Sequence, residues 1–174
     1  MEANPKGSAT FYQYKLIQKN NISIRMLRIY LTLPLAFILL ETLFLSRLSL
    51  LYFIIAAPVV LWIQYVISHS VLIITGNRVT KKWRSSFRLP WIGYMPDQYI
   101  SYSLFKRVQM HNFWIGLCIP ALFIVWAPPA FTLSMALFHL WLLLPRLYAL
   151  FRLNLGHEQG MLKFSPTDAS YYSQ

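Results

Sequence analysis

The sequence predicts an all-α integral membrane protein with about four transmembrane helices arranged as two hairpins. Three observations predict it. Of 174 residues, 57 % are apolar and only 12 % are charged, against about 25 % charged in a typical soluble domain. So little polar surface does not cover a water-facing globule, and part of the solvent must be lipid. The apolar residues gather in four runs, each bounded by polar or turn-forming residues. Finally, when the chain is threaded through those four runs, fifteen of its sixteen Lys and Arg residues fall on one side.

The elements follow in order. Residues 1–28 form a basic leader in which Phe11, Tyr12, Tyr14, Leu16 and Ile17 mix with Lys15 and Lys19. This pattern suits a short helix lying in the membrane interface. The first span covers about residues 29–45. It begins behind a long polar segment and has no small-residue cleavage site close after it, so it reads as a retained anchor rather than a signal peptide. Ser46-Arg47-Leu48-Ser49 makes a tight turn, and the second span runs from about residue 50 to 75, long enough to tilt or protrude.

Residues 76–112 form a polar connection with seven of the sixteen basic residues: Arg78, Lys81, Lys82, Arg84, Arg88, Lys106 and Arg107. Within it, Val79 to Tyr94 mixes β-forming residues with turn formers at Pro90 and Gly93, which suits a short β-hairpin. Ser101 to Met110 places Leu104, Phe105 and Val108 on one side and Lys106 and Arg107 on the other, an amphipathic helix. A third span covers about 113–127 and stops at Pro128-Pro129. A fourth covers about 131–151, and residues 152–174 form a polar tail.

The basic residues set the orientation. Five lie in the leader, seven in the central loop, and three (Arg146, Arg152 and Lys163) at or beyond the inner end of the last span; only Arg47 lies on the other side. By the positive-inside rule, both termini and the central loop face the cytoplasm. The net charge of +11 therefore reads as topology and attraction to anionic headgroups rather than nucleic-acid binding, for which no recognition motif is present. The single cysteine, Cys118, lies in an apolar run. It permits no internal disulfide and belongs to no metal or redox motif.

Polar groups inside the spans are costly, and each is a candidate for function. Glu41 sits near the outer end of the first span, where Arg47 is a possible partner six residues on. Gln64 and His69 are five residues apart on the second span and point about 140° apart; Gln64 suits hydrogen bonding between helices. His139 and Arg146 lie on the fourth. At about 1.5 Å per residue from the outer ends, His69 is roughly 28 Å inward, His139 roughly 12 Å and Arg146 roughly 22 Å. The histidines are thus too far apart in depth to flank one haem, whereas His69 and Arg146 lie close enough in depth to meet. No phosphate loop, no Ser/His/Asp set and no carboxylate pair is present.

The order of parts around His69 resembles the small bacterial zincin-peptidase membrane proteins, distant relatives of the site-2-type intramembrane metalloproteases. It places a histidine near the inner end of the second span, then a β-like loop, an amphipathic helix and further apolar runs. The stretch from Met95 to Met110, leading to Phe113 and Pro120, is similar to that family's segment before its third span. The family motif is His-Glu-x-x-His, two zinc ligands and a general base on one helix face. Here the corresponding residues are His69-Ser70-Val71-Leu72-Ile73. Arg146 stands near where a further acidic ligand belongs. The resemblance therefore implies a degenerate scaffold with no metal site, no catalytic residue and no cofactor, in a bacterial cell membrane.

The expected function is a non-enzymatic accessory or regulatory subunit, working as a homo-oligomer or in a complex with another membrane protein. Its partner- or lipid-binding candidates are Trp83, Arg84, Phe87, Arg88, Trp91, Lys106 and Arg107, where aromatics and cations alternate; interfacial anchoring explains the same pattern. Two alternatives remain. One is a membrane enzyme with an unrecognised site, with His69, His111 and His157 as proton carriers. The other is a small transporter component lined by Gln64, His139 and Arg146.

Overall fold

The computed structural model describes residues 15–153 and 160–173. The chain runs β1 (Lys15–Asn21), α1 (Ile24–Phe44), α2 (Ser49–Thr75), α3 (Asn77–Thr80), β2 (Trp83–Ser86), β3 (Gly93–Pro96), β4 (Ile100–Ser101), α4 (Tyr102–Phe123), α5 (Pro129–Arg152), β5 (Met161–Phe164) and β6 (Asp168–Ser173). The four long helices form a bundle. Its far end holds the turns between α1 and α2 and between α4 and α5. Its near end is closed by a cap built from the strands.

The expectation of an all-α, four-span protein is overturned on two counts. First, β1 from the segment taken as leader and β5 and β6 from the segment taken as tail join β4 of the central connection in one antiparallel sheet, in the order β1-β6-β5-β4. Lys15 pairs with Ser173 and Asn21 with Asp168, with a register irregularity between Leu16 and Gln18. Met161 pairs with Tyr172, and Ile100 with Leu162. The interfacial helix drawn over Leu16 and Ile17 is therefore β1; Phe11, Tyr12 and Tyr14 lie outside the described residues. Second, among the described residues three helices are long and apolar enough to cross a membrane, α1, α2 and α5. The amphipathic helix and the third span expected from sequence are one continuous helix, α4, whose first half carries Lys106, Arg107, Gln109, His111 and Asn112.

Local chemistry accounts for the helix boundaries. Ser23 caps α1, its hydroxyl accepting from the Met26 N–H at 3.2 Å, a normal use of serine at a helix start. Pro129 opens α5 directly after Pro128, where a missing N–H costs nothing. Pro34, Pro58, Pro120 and Pro145 lie inside helices, tolerated where neighbouring helices fix the backbone. α2 and α5 form the centre of the bundle. α1 packs on it from one side and leaves Leu31, Leu35, Leu39, Leu43 and Phe44 exposed, a stripe too apolar for a water-facing surface.

Two cores result. One fills the bundle: Tyr30, Phe53, Ala56, Val60, Ile63, Met135, Phe138 and Leu142 pack there with their neighbours. The other joins the bundle to the cap through Leu72, Trp83, Trp91, Tyr94, Phe105, Leu150, Leu153, Leu162 and Tyr171. A β2–β3 hairpin, Trp83 opposite Pro96 and Ser86 opposite Gly93, occupies the central loop. The segment leading into β3 carries Pro90, which lines a small cavity together with Tyr30 of α1 and Leu144 and Pro145 of α5.

Candidate functional site

Polar side chains of α2, α4 and α5 converge in the bundle interior. On α5, His139 and Arg146 are seven residues apart and about 20° apart around the axis, so they share one face. On α4, Gln109, Asn112 and Gly116 follow at spacings of three and four, again one face. On α2, Gln64 and Ser68 are one turn apart. All except Gly116 carry hydrogen-bonding side chains, and all of those are fully or almost fully buried.

The geometry ties helices to each other. Gln64 Nε2 lies 3.1 Å from His139 Nδ1 and 3.4 Å from the His139 carbonyl oxygen. With the amide nitrogen donating, the ring proton belongs on Nε2. The His139 ring lies against Gly116, where a Cβ would overlap it, so the glycine permits the close approach of α4 and α5. Asn112 Nδ2 donates to Ser68 Oγ at 2.7 Å and to the Val108 carbonyl at 3.2 Å. Trp141 Nε1 donates to the Tyr30 carbonyl at 2.7 Å, and the two rings stack at 4.6 Å. Gln109 is buried with no hydrogen-bond partner among the described residues.

Arg146 is fully buried (0 % exposed). Its Nη2 donates to the Ile92 carbonyl. Ile92 precedes β3 and is outside the hairpin ladder, so this donor satisfies an irregular backbone group placed deep in the bundle. Gly93 lies against the same guanidinium, and its φ of +104° requires glycine. Nε and Nη1 have no partner among the described residues. Among the described residues no acidic side chain pairs with Arg146.

The sequence placed His69 and Arg146 at compatible depth, but the structure joins them to the same segment rather than to each other. The His69 ring stacks on Tyr65 at 5.4 Å and meets the Tyr94 edge at 6.2 Å, one residue beyond the Gly93 that touches Arg146. Burial, and secondarily the nearby Tyr65 phenol, raise the pKa of the Tyr94 hydroxyl above its ordinary value. Gln64 and His69 do point apart, one toward α5 and the other toward the hairpin. Glu41 does not pair with Arg47; its Oε2 accepts from Ser134 Oγ on α5 at 2.6 Å. His111 is exposed, its Nδ1 2.8 Å from the Arg107 carbonyl, and His157 lies outside the described residues. Among the described residues no three His, Cys, Asp or Glu side chains come together as a metal-ligand group.

The cap candidates divide by exposure. Trp83 is buried, with its ring 6.1 Å from Phe105 and 5.7 Å from Tyr94. Trp91 is buried too, its Nε1 donating to the Ser165 carbonyl at 2.8 Å. Arg84, Phe87 and Arg88 are exposed around a cleft of about 220 Å³ between the hairpin and the β5–β6 turn. Lys106 and Arg107 are exposed on the first turns of α4, away from that cleft. Sequence reasoning missed Ser68, Gln109, Asn112, Ser134 and Gly93. The one available signal was the spacing of Gln109, Asn112 and Gly116 on a single helical face.

Comparisons with protein-family models, with curated proteins and with solved structures find no match for this chain.

Proposed function

We propose that the protein is a non-enzymatic membrane subunit, accessory or regulatory to another membrane protein, on a scaffold resembling the zincin-peptidase membrane proteins with its metal motif replaced. The cap faces the cytoplasm of a bacterial cell. The charge distribution supports that orientation: Lys15, Lys19, Arg25, Arg28, Lys81, Lys82, Arg84, Arg88 and Arg152 belong to the cap or adjoining helix ends, while the far turns carry only Arg47.

The observation that carries the non-enzymatic reading is Arg146. The resemblance places an acidic ligand near this position. A guanidinium instead reaches the Ile92 carbonyl and holds the hairpin segment in place. His69, the one residue matching the family motif, is packed among tyrosine rings. Ser70 and Ile73 supply neither a base nor a second ligand. The interior polar groups thereby fix the architecture, and the cap remains as the surface for a partner.

Purification of the intact chain in mild detergent tests this. A protein should co-purify at fixed stoichiometry, with zinc well below one ion per chain by elemental analysis. Stoichiometric zinc, abolished by His69→Ala, would overturn the reading.

A further inference from the structure

The cap cleft has a composition and a position that the subunit reading leaves unused. Arg84 and Arg88 line it on the hairpin side with Ser85 and Ser86, and Trp91, Phe164 and Pro166 are among its other walls. Neither arginine makes an ion pair among the described residues, although Asp97 also borders the cleft. Two cations against one carboxylate leave a positive balance.

Its position sets the level at which it opens. The Ile22 N–H donates to the Thr167 carbonyl at 3.0 Å, so the turn bearing Ser165 and Pro166 sits two residues before α1 begins. Across the cleft, the loop that carries Arg88 places Pro90 among Tyr30, Leu144 and Pro145 of α1 and α5. Both walls therefore stand where apolar helices emerge into the cap, which is headgroup depth for a chain with three candidate spans. The rim supplies a further clue. Phe87 is 80 % exposed between Ser86 and Arg88, and Leu89 beyond it is also exposed. A site for a soluble anion gains nothing from an exposed phenyl ring, whereas an aromatic beside arginines suits the boundary between phosphates and acyl chains.

We infer that this cleft binds the phosphate of an anionic phospholipid headgroup, resting on the membrane placement proposed above. Arg84 and Arg88 donate to the phosphate oxygens, where a guanidinium's paired N–H groups fit well. The Ser86 hydroxyl, on the same strand face as Arg84, can donate as well, since its oxygen already accepts from the Arg88 backbone N–H at 3.2 Å. Phe87 rests in the acyl boundary beside the site.

The test uses the full chain in mild detergent with phosphatidylglycerol and phosphatidylcholine added in equal amounts, and bound lipid counted by native mass spectrometry. The wild type should retain phosphatidylglycerol preferentially. Arg84→Gln and Arg88→Gln should each weaken retention about tenfold, and Lys at both positions should recover part of the loss. Arg25→Gln with Arg28→Gln, which removes two cations outside the cleft, should leave retention unchanged. Equal retention by the double glutamine variant overturns the assignment. So does complete displacement by millimolar inorganic phosphate, which would make this a site for soluble anions. A partner protein found in the pull-down does not alter this readout, so the two proposals fail separately.

Discussion

Gln64, Ser68, Asn112 and His139 in the bundle and Arg84 and Arg88 in the cap are all polar groups near apolar surroundings, yet their situations are opposite. Each of the interior four touches another element of the same chain, at 3.1 Å for Gln64 with His139 and 2.7 Å for Asn112 with Ser68. The cap arginines stand at an open cleft that Asp97 also borders, yet neither forms an ion pair among the described residues. The difference follows from solvent access. A polar group among packed helices has no bulk water to turn to, so a fixed partner matters most there, although Gln109 has none among the described residues. One at the cap is hydrated and can exchange water for a ligand. On the function proposed above, interior polarity serves architecture, while binding is assigned to the rim.

The sharpest way to break this comparison is at Gly93, where the two regions meet. Gly93→Ala imposes a side chain on a φ of +104° and drives it into the Arg146 guanidinium. The expected loss is about 3 kcal/mol, combining backbone strain with overlap, measured by thermal unfolding in detergent. Arg146→Ala in the same chain should recover the overlap part and not the strain. If the double variant is as unstable as the sum of the singles, the contact is not what holds the hairpin down.

Arg146→Met comes next, at about 2 kcal/mol. The methionine fills much of the volume but leaves the Ile92 carbonyl without its donor in the interior. Release of the hairpin should make the loop around Arg88 a faster trypsin target than in the wild type. An unchanged cleavage rate would show that the guanidinium contributes volume rather than the hydrogen bond. Gly116→Ala should then cost about 1–2 kcal/mol by pressing on the His139 ring, and His139→Ala should relieve it.

These contacts also explain what sequence could and could not foresee. α1 and α2 are legible because their apolar runs are long and end in a tight turn. The hairpin is legible because Pro90 sits between β-forming segments, although Gly93, expected in the turn, is the first residue of β3. The sheet was not, because Lys15 pairs with Ser173 across nearly the whole chain. β1, β5 and β6 are short enough to pass for parts of a leader or a tail, β4 is two residues of the central connection, and nothing local signals partners so far away. α4 was divided into an amphipathic helix and a span because its charged first half and apolar second half look like two elements. Their junction at Asn112 and Phe113 has no helix breaker, so the helix simply continues. Of the site, Gln64, His139 and Arg146 stood out as polar residues in apolar runs. Ser68, Asn112 and Gln109 did not, because a serine in a span is unremarkable and the other two lie in the polar half of α4.

The smallest expected effect separates two accounts of Gln64. If its role is to join α2 to α5, Gln64→Leu should cost about 0.6–1 kcal/mol, the usual worth of one hydrogen bond between membrane helices. His139→Phe should cost a similar amount, and the double variant little more than either single, because each single already abolishes the shared contact. If Gln64 instead lines a solute path, the stability change is equally small, but proteoliposomes carrying the variant would show altered flux. A strictly additive double-mutant cycle would refute the tie between Gln64 and His139. A coupled cycle with unchanged flux would place Gln64 with Asn112 and Arg146 among the groups that fix the bundle, leaving binding to the cap.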